Sequence, residues 1–282
     1  MISPQDCYTL SNGVKIPCLG FGTWKLLEDE CSNAVKTAIE CGYRHIDTAT
    51  AYRNEKSVAL GIRQSGIKRE DIFITDKLWN SSKGYEETLK AFKKSLGFMN
   101  LEYLDLYLIH WPRSKKHFDD YVELNNSTWK AFETLYNDGY VRAIGVSNFE
   151  EHHLVPLMDS ATIAPMVNQI ELSPQFRQDD VVKFCRSNNI LVEAYSPLTR
   201  SNALESPLLV SVANKHNCST AQICLAWSLK NGYLPLPKSA HKDRIIQNTN
   251  VFNITLDDED EQTLLGLTEL GRIVADPDDP PF

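Results

Sequence analysis

Short apolar runs alternate with stretches of helical spacing along nearly the whole 282-residue chain, and no other feature of the sequence limits the fold so strongly. The runs at 19–21, 45–47, 72–77, 104–110, 141–146, 166–169, 190–195 and 234–237 each precede a predicted helix. Those helices are expected at 28–41, 54–64, 84–96, 126–138, 150–159, 179–186, 207–216 with 220–230, and 242–249. Runs this apolar suit a parallel sheet whose outer face is covered, because a half-exposed strand would alternate with polar residues. Eight strand-then-helix units favour a closed (β/α)8 TIM barrel over an open doubly wound sheet, and such barrels run to roughly 250 residues. No Pro/Gly/Ser-rich linker divides the pattern, so residues 1–282 are expected to form a single barrel domain. The Ser11-Asn12-Gly13 turn between apolar runs predicts an N-terminal β-hairpin that plugs the bottom of the barrel. An extra helix at 256–267 and an acidic, proline-rich tail at 276–282 follow the eighth unit.

Composition narrows the functional classes. A formal charge of -8 argues against a nucleic-acid surface. No apolar run approaches the roughly 18–20 residues of a membrane span, and the acidic N-terminal stretch lacks a signal-peptide core. A cytoplasmic chain is therefore expected. Its seven cysteines are odd in number and never spaced C-x-x-C, so reduced thiols are expected. The adjacent His152 and His153 are expected to begin a solvated helix. No His, Cys and carboxylate grouping has ligand-like spacing, so no metal is expected. No oligomer signal is present, which leaves a monomer as the default.

Four residues fall at or just after the ends of predicted strands: Asp47, Tyr52, Lys77 and His110. In a parallel barrel all four would gather at the C-terminal edge, where such barrels keep their active sites. Taken singly, each has an ordinary structural explanation as a half-buried tyrosine, a surface ion pair or a core histidine. Together they supply a coherent chemistry. Hydride reduction of a carbonyl leaves an alkoxide that must be protonated, and a tyrosine with a pKa of about 10 is a weak acid at neutral pH. A neighbouring Lys⁺ lowers that pKa, a carboxylate holds the ammonium, and a histidine N–H orients the substrate oxygen.

The flanking words match a known family. Gly20-Phe21-Gly22-Thr23-Trp24, Gly42-Tyr43-Arg44-His45-Ile46-Asp47-Thr48-Ala49 and Tyr52-x-Asn54-Glu55 resemble the aldo-keto reductases. So do Ile109-His110-Trp111-Pro112, Gly145-Val146-Ser147-Asn148-Phe149, Asn168-Gln169-Ile170-Glu171, Ala194-Tyr195-Ser196-Pro197-Leu198 and Leu236-Pro237-Lys238-Ser239. The resemblance covers about residues 8–275. It implies an NADP(H)-dependent reductase of small aldehydes and ketones, with Tyr52 as general acid, Lys77 as its partner, Asp47 pairing Lys77, and His110 orienting the substrate. It further implies NADPH/NADP+ contacts from Gly22, Thr23 and Asp47 at the nicotinamide end. Ser147, Asn148 and Gln169 would bind the carboxamide, and Tyr195 would stack on the ring, with Ser196 and Leu198 in the same run. Lys238, Ser239 and Arg244 would take the 2′-phosphate, with Gln247 and Asn248 near the adenine.

The residues themselves agree at one point. Lys238 and Arg244 bracket the start of a predicted helix, where backbone N–H groups favour phosphate; the alternative is that they decorate an exposed helix. His241 departs from the small hydroxyl residue usual in the family, which leaves strict NADPH selectivity open. No G-x-G-x-x-G fingerprint is present, so the cofactor would bind at the barrel mouth and not on a Rossmann unit. Trp24, Trp79 and Trp111 follow strands on the same face and are expected to wall the substrate pocket, with core packing as the competing explanation. The segments 111–125 and 199–206 look short, and with the tail they suggest an open pocket. They resemble those of microbial and protozoan members acting on small aldehydes, diketones or prostaglandin-type substrates. Two other readings remain: a cofactor-sensing or structural protein with little turnover, and net alcohol oxidation with NAD.

Overall fold

A computed structural model of the protein describes residues 1–198 and 204–282, and all eight expected strand-then-helix units lie among them. Two short strands come first, β1 (Cys7–Thr9) and β2 (Lys15–Pro17), paired antiparallel. The barrel follows as β3 (Phe21–Gly22), α1 (Glu28–Glu40), β4 (His45–Asp47), α2 (Glu55–Ser65), β5 (Phe73–Leu78), α3 (Tyr85–Met99), β6 (Leu104–Ile109) and α4 (Tyr121–Asn137). It continues through β7 (Val141–Ser147), α5 (Glu151–Ser160), β8 (Val167–Glu171), α6 (Asp179–Ser187), β9 (Leu191–Tyr195), α7 (Pro207–Lys215), α8 (Thr220–Lys230), β10 (Leu234–Pro235) and α9 (Lys242–Thr249). A last helix, α10 (Asp258–Leu265), lies against α7. Of the segment 199–206, residues 199–203 lie outside the described residues. No helix among the described residues is long and apolar enough to cross a membrane. The seven cysteines are all free thiols.

Strands β3 to β10 are parallel and adjacent in chain order. The sheet closes on itself where Gly20 N–H donates to the Pro235 carbonyl and Gly22 N–H to the Pro237 carbonyl, both at 3.1 Å. On the other side, Leu236 N–H reaches the Ala194 carbonyl at 2.9 Å. Both prolines thus present only acceptors to the seam, which lets them sit in a barrel strand without an unmet donor. The seam is tight at Gly20, where a Cβ would lie 2.4 Å from Leu236 Cδ2 and 2.7 Å from His45 Nδ1. Gly20→Ala should therefore lower stability by about 1–3 kcal/mol through overpacking. A lower urea midpoint at unchanged slope would show it, and an unchanged midpoint would mean the seam yields freely.

The N-terminal hairpin covers the lower end of the barrel. Its turn forms as expected, with Leu10 N–H on the Val14 carbonyl at 2.9 Å and Gly13 at φ 85°. Tyr8 OH donates to the Tyr233 carbonyl (3.1 Å), just before β10, and Asn12 Nδ2 to the Arg142 carbonyl (2.9 Å) in β7. Leu10 and Ile16 of the hairpin are buried. Two helix starts differ from the sequence expectation by more than one residue. Helix α4 begins at Tyr121 and not at residue 126, because Asn125 is a buried helical residue whose Oδ1 accepts from Lys83 Nζ at 2.8 Å. Helix α10 begins only after Asp257, whose side chain caps it by accepting from Asp260 N–H at 2.9 Å.

Candidate active site

Strands β4, β5 and β6 are buried at every position, and strand alternation sends every second side chain towards the barrel axis. Asp47 closes β4, Lys77 sits next to last in β5, and His110 follows β6 directly. Tyr52 ends the 3-10 turn Thr50–Tyr52 that leaves β4. The structure brings these four together. Lys77 Nζ donates to Asp47 Oδ1 at 2.7 Å, to the Thr48 carbonyl at 3.1 Å and to the Tyr52 hydroxyl at 3.2 Å. The His110 ring meets the Tyr52 ring edge-on, with centroids 5.7 Å apart. The Tyr52 turn is tied down by Asn54, a buried residue whose Nδ2 donates to the Thr23 carbonyl (2.8 Å) and the Leu26 carbonyl (2.9 Å). Three non-glycine residues at this edge, Arg53, Asn148 and Ser196, have φ of 58°, 64° and 49°, a concentration of backbone strain typical of functional sites.

Burial and charge set the protonation states. Burial favours loss of the Lys77 proton, but the Asp47 carboxylate and then the Tyr52 oxygen outweigh it and hold the ammonium above the ordinary lysine range. Burial also raises the Tyr52 phenol, by more than the Lys77 charge lowers it. The expected pull of Lys77 on Tyr52 is therefore real but does not win, and the phenol stays protonated at neutral pH. Burial, and then the Lys77 charge, keep His110 well below the usual imidazole range and hence neutral. The site offers a phenol O–H beside a fixed cation, next to an uncharged imidazole.

Beneath this group lies a polar layer the sequence reading missed. Gln169 Nε2 donates to Asp47 Oδ2 (2.9 Å) and to Glu193 Oε2 (2.8 Å), which joins β8 to β4 across the barrel interior and to β9 beside it. Burial, and then the Asp47 charge, push the Glu193 carboxyl up to about 8. His45, whose Nε2 meets Thr75 Oγ1 at 2.9 Å, is held down to about 3 by burial and the Lys77 charge. The 3.9 Å approach of His45 Nε2 to Glu193 Oε1 is thus between neutral groups at pH 7 and is no ion pair. The only signal in the sequence was a carboxylate in the middle of an apolar strand run.

A stability prediction follows from Glu193. The folded carboxyl binds its proton more tightly than the unfolded one, whose value is 4.5, so its stabilising contribution is full below about 4.5 and lost as pH rises towards about 8. Glu193→Gln should remove that slope, on the order of 1.4 kcal/mol per pH unit. Melting curves at pH 5 and pH 8 should converge in the variant relative to the wild type, and an unchanged difference would contradict the assignment.

The residues singled out for a cofactor line the same edge. Thr23 uses both N–H (3.1 Å) and Oγ1 (2.9 Å) on the Asp47 carbonyl, which fixes Gly22 and Thr23 against β4. Ser147 Oγ donates to the Gln169 carbonyl (2.8 Å) and accepts from Asn148 Nδ2 (3.1 Å), which also reaches the His110 carbonyl (2.9 Å). Tyr195 OH donates to Asn148 Oδ1 at 2.7 Å, while Ser196 and Leu198 continue from it half-buried. Across the seam, Lys238 is exposed and the buried Ser239 Oγ accepts from His241 N–H at 3.0 Å, leading into α9. Arg244 and Gln247 are exposed on α9, and Asn248 is buried. Neither Lys238 nor Arg244 forms an ion pair with another described residue.

The three tryptophans separate. The Trp79 ring lies 5.2 Å from His110 and 4.8 Å from Phe282, and Trp111 lies 5.3 Å from Phe282, so these three aromatics form one wall beside the tetrad. Trp24 stands apart at the rim, 47% exposed, with Lys25 Nζ 4.4 Å from its ring centroid.

In sequence comparison, the Aldo/keto reductase family profile aligns with residues 18–268. The chain belongs to the aldo/keto reductase family. It is 48% identical to a 9,11-endoperoxide prostaglandin H2 reductase of Trypanosoma cruzi over 277 residues, covering 97% of this chain and 95% of that protein. It is 45% identical to a glyoxal reductase of Bacillus subtilis over 278 residues, covering 98% of each. Among solved structures, a Bombyx mori aldo-keto reductase in complex with NADP superposes with a TM-score of 0.87 at 34% identity, covering 95% of this chain and 94% of that one.

In this aldo/keto reductase the C-terminal tail is strapped over the barrel mouth. The Glu171 carboxylate accepts from Ile273 N–H (3.0 Å) and Val274 N–H (3.2 Å), Arg272 pairs with Glu150, and Lys115 N–H holds the Phe282 carbonyl at 2.7 Å. Asp278 Oδ1 is reached by His152 Nε2 (2.9 Å), His153 Nε2 (3.1 Å) and Arg113 Nη1 (3.2 Å). The expectation of a solvated His152-His153 pair is corrected here: His153 is fully buried under the tail. Because His153 Nδ1 accepts from Glu150 N–H at 3.2 Å, its Nε2 carries the proton and faces the Asp278 carboxylate. With a guanidinium on the same oxygen, the group is a hydrogen-bonded anchor and a poor cation site.

Proposed function

We propose that this aldo/keto reductase reduces small aldehydes and ketones to alcohols with NADPH, with Tyr52 as the general acid. The observation that carries the reading is Lys77 Nζ, buried and held between Asp47 Oδ1 (2.7 Å) and the Tyr52 hydroxyl (3.2 Å) at the barrel mouth. As the carbonyl carbon is reduced, charge develops on its oxygen. The Tyr52 O–H donates its proton to that oxygen, and the adjacent ammonium stabilises the phenolate left behind. His110, kept neutral, offers an N–H that orients the carbonyl before transfer. Asp47 fixes the ammonium, and the aromatic wall of Trp79, Trp111 and Phe282 excludes water and favours an apolar carbonyl compound. The glyoxal reductase likeness supports small carbonyl substrates.

The residues present fit a nicotinamide dinucleotide. Gln169 has both amide hydrogens engaged at Asp47 and Glu193, which leaves Oε1 to accept from a carboxamide. Asn148, Ser147 and Tyr195 are pre-locked around it by their own hydrogen bonds. When bound, NADPH supplies the hydride that reduces the carbonyl carbon. Lys238, Ser239 and Arg244, at the start of α9, would hold the 2′-phosphate that distinguishes NADPH from NADH. Lys238→Ala and Arg244→Ala should each weaken NADPH binding by about tenfold or more and leave NADH within about twofold. Fluorescence titration with both cofactors tests this, and equal losses for the two would contradict the assignment.

A further inference from the structure

The outer side of the turn that carries Tyr52 borders a second cavity, about 610 Å³, between that turn, α2 and α3. It is separate from the barrel mouth and shares no residue with the tetrad. Its rim carries Arg53, Lys56, Lys90 and Lys94. Lys90 pairs with Glu87 at 2.7 Å, whereas Arg53, Lys56 and Lys94 form no ion pair with any described residue. Lys90 and Lys94 stand four residues apart on α3, a spacing that puts both on the helix face bordering the cavity. Lys56 from α2 and Lys94 from α3 also converge on one ring, with their Nζ atoms 5.0 and 5.5 Å from the Phe98 centroid. Such a concentration of cations is unexpected in a chain of net charge -8.

The floor offsets only part of that charge. It contains Glu55, with Asp76 behind it, and Ser95, whose Oγ meets Thr50 Oγ1 at 3.3 Å. Burial raises both carboxyls, the Ser95 hydroxyl and the Lys94 charge act against it at Glu55, and the Glu55 charge raises Asp76 further. With Arg53, Lys56, Lys90 and Lys94 set against Glu55 and Glu87, the lining keeps a surplus of positive charge over hydroxyl groups and a half-exposed aromatic face.

We propose that this cavity binds a phosphate-bearing small molecule, gripped by Arg53, Lys56 and Lys94 above the Ser95 hydroxyl. A phosphate, with two negative charges and several acceptor oxygens, matches three converging cations better than a single carboxylate does. The volume exceeds that of free phosphate and lies within the usual range of small-ligand sites, which leaves room beside Phe98 for the body of a phosphate ester.

The test is a titration of the NADP+-saturated full chain with inorganic phosphate and with phenyl phosphate, followed through backbone amides by NMR. Saturable shifts are expected at Arg53, Ser82, Ser95 and Phe98. Tighter binding of phenyl phosphate would assign an ester as the ligand, and equal affinities would assign free phosphate. A Lys56→Gln, Lys94→Gln double variant should weaken binding by about tenfold, the effect of losing two exposed charge contacts. Lys183→Gln, on the exposed face of α6, should change nothing. No saturable shift at these amides, shifts confined to residues 238–248, or an unchanged affinity in the double variant would each overturn the proposal. Because the amides report the position directly, a failure of the cofactor reading would leave this result interpretable.

Discussion

Tyr52→Phe should lower kcat by about 100- to 10,000-fold, the range associated with removing a positioned general acid. NADPH affinity should stay within about twofold, since the Tyr52 hydroxyl makes a single contact here, with Lys77. The substitution leaves Lys77 satisfied by Asp47 and the Thr48 carbonyl, so folding should be nearly unaffected. An alkoxide is far more basic than a phenolate, so transfer from Tyr52 runs downhill once the carbonyl is reduced, even though burial raises the phenol. Stopped-flow measurement of NADPH oxidation against an aldehyde separates binding from turnover. Wild-type rates in the variant would mean that His110 or water supplies the proton.

The second large effect belongs to Lys77. Lys77→Met removes the cation from a pair with no solvent access on the lysine side, and leaves the buried Asp47 with Gln169 as its remaining side-chain donor. Breaking a buried pair by removing one member costs about 3–5 kcal/mol, and the same change removes the charge that favours phenolate. Both stability and kcat should fall sharply. Adding Asp47→Asn to Lys77→Met should restore much of the stability, because no buried charge is then left unpaired, and none of the activity. Urea unfolding of the two variants checks this. An equally unstable double variant would show that the lysine stem and not its charge holds the site.

The tetrad was legible in the sequence because parallel barrel strands are buried on both faces. A polar residue at the end of an otherwise apolar run therefore stands out, and Asp47, Lys77 and His110 each do so. The barrel itself followed from the same property repeated eight times. What stayed hidden depends on contacts across long stretches of chain. Glu193 was visible as a carboxylate in β9, but nothing local shows that Gln169 ties it to Asp47 or that burial keeps it protonated. Asp278 meets Arg113, His152 and His153 only because the tail folds back over the mouth, so His153 read as a solvated helix residue. The seam prolines were legible as a strand but not as its closing edge. That depends on which carbonyls Gly20 and Gly22 reach.

The central claim is that this site turns over a carbonyl and does not merely hold a cofactor. The direct measurement is loss of the reduced-nicotinamide absorbance when the chain is mixed with NADPH and a panel of small aldehydes, dicarbonyls and ketones. Steady oxidation of NADPH is expected with at least the aldehydes and dicarbonyls, one cofactor consumed per alcohol formed. Tight NADPH binding with no oxidation across the panel would contradict it and leave a cofactor-binding protein in its place.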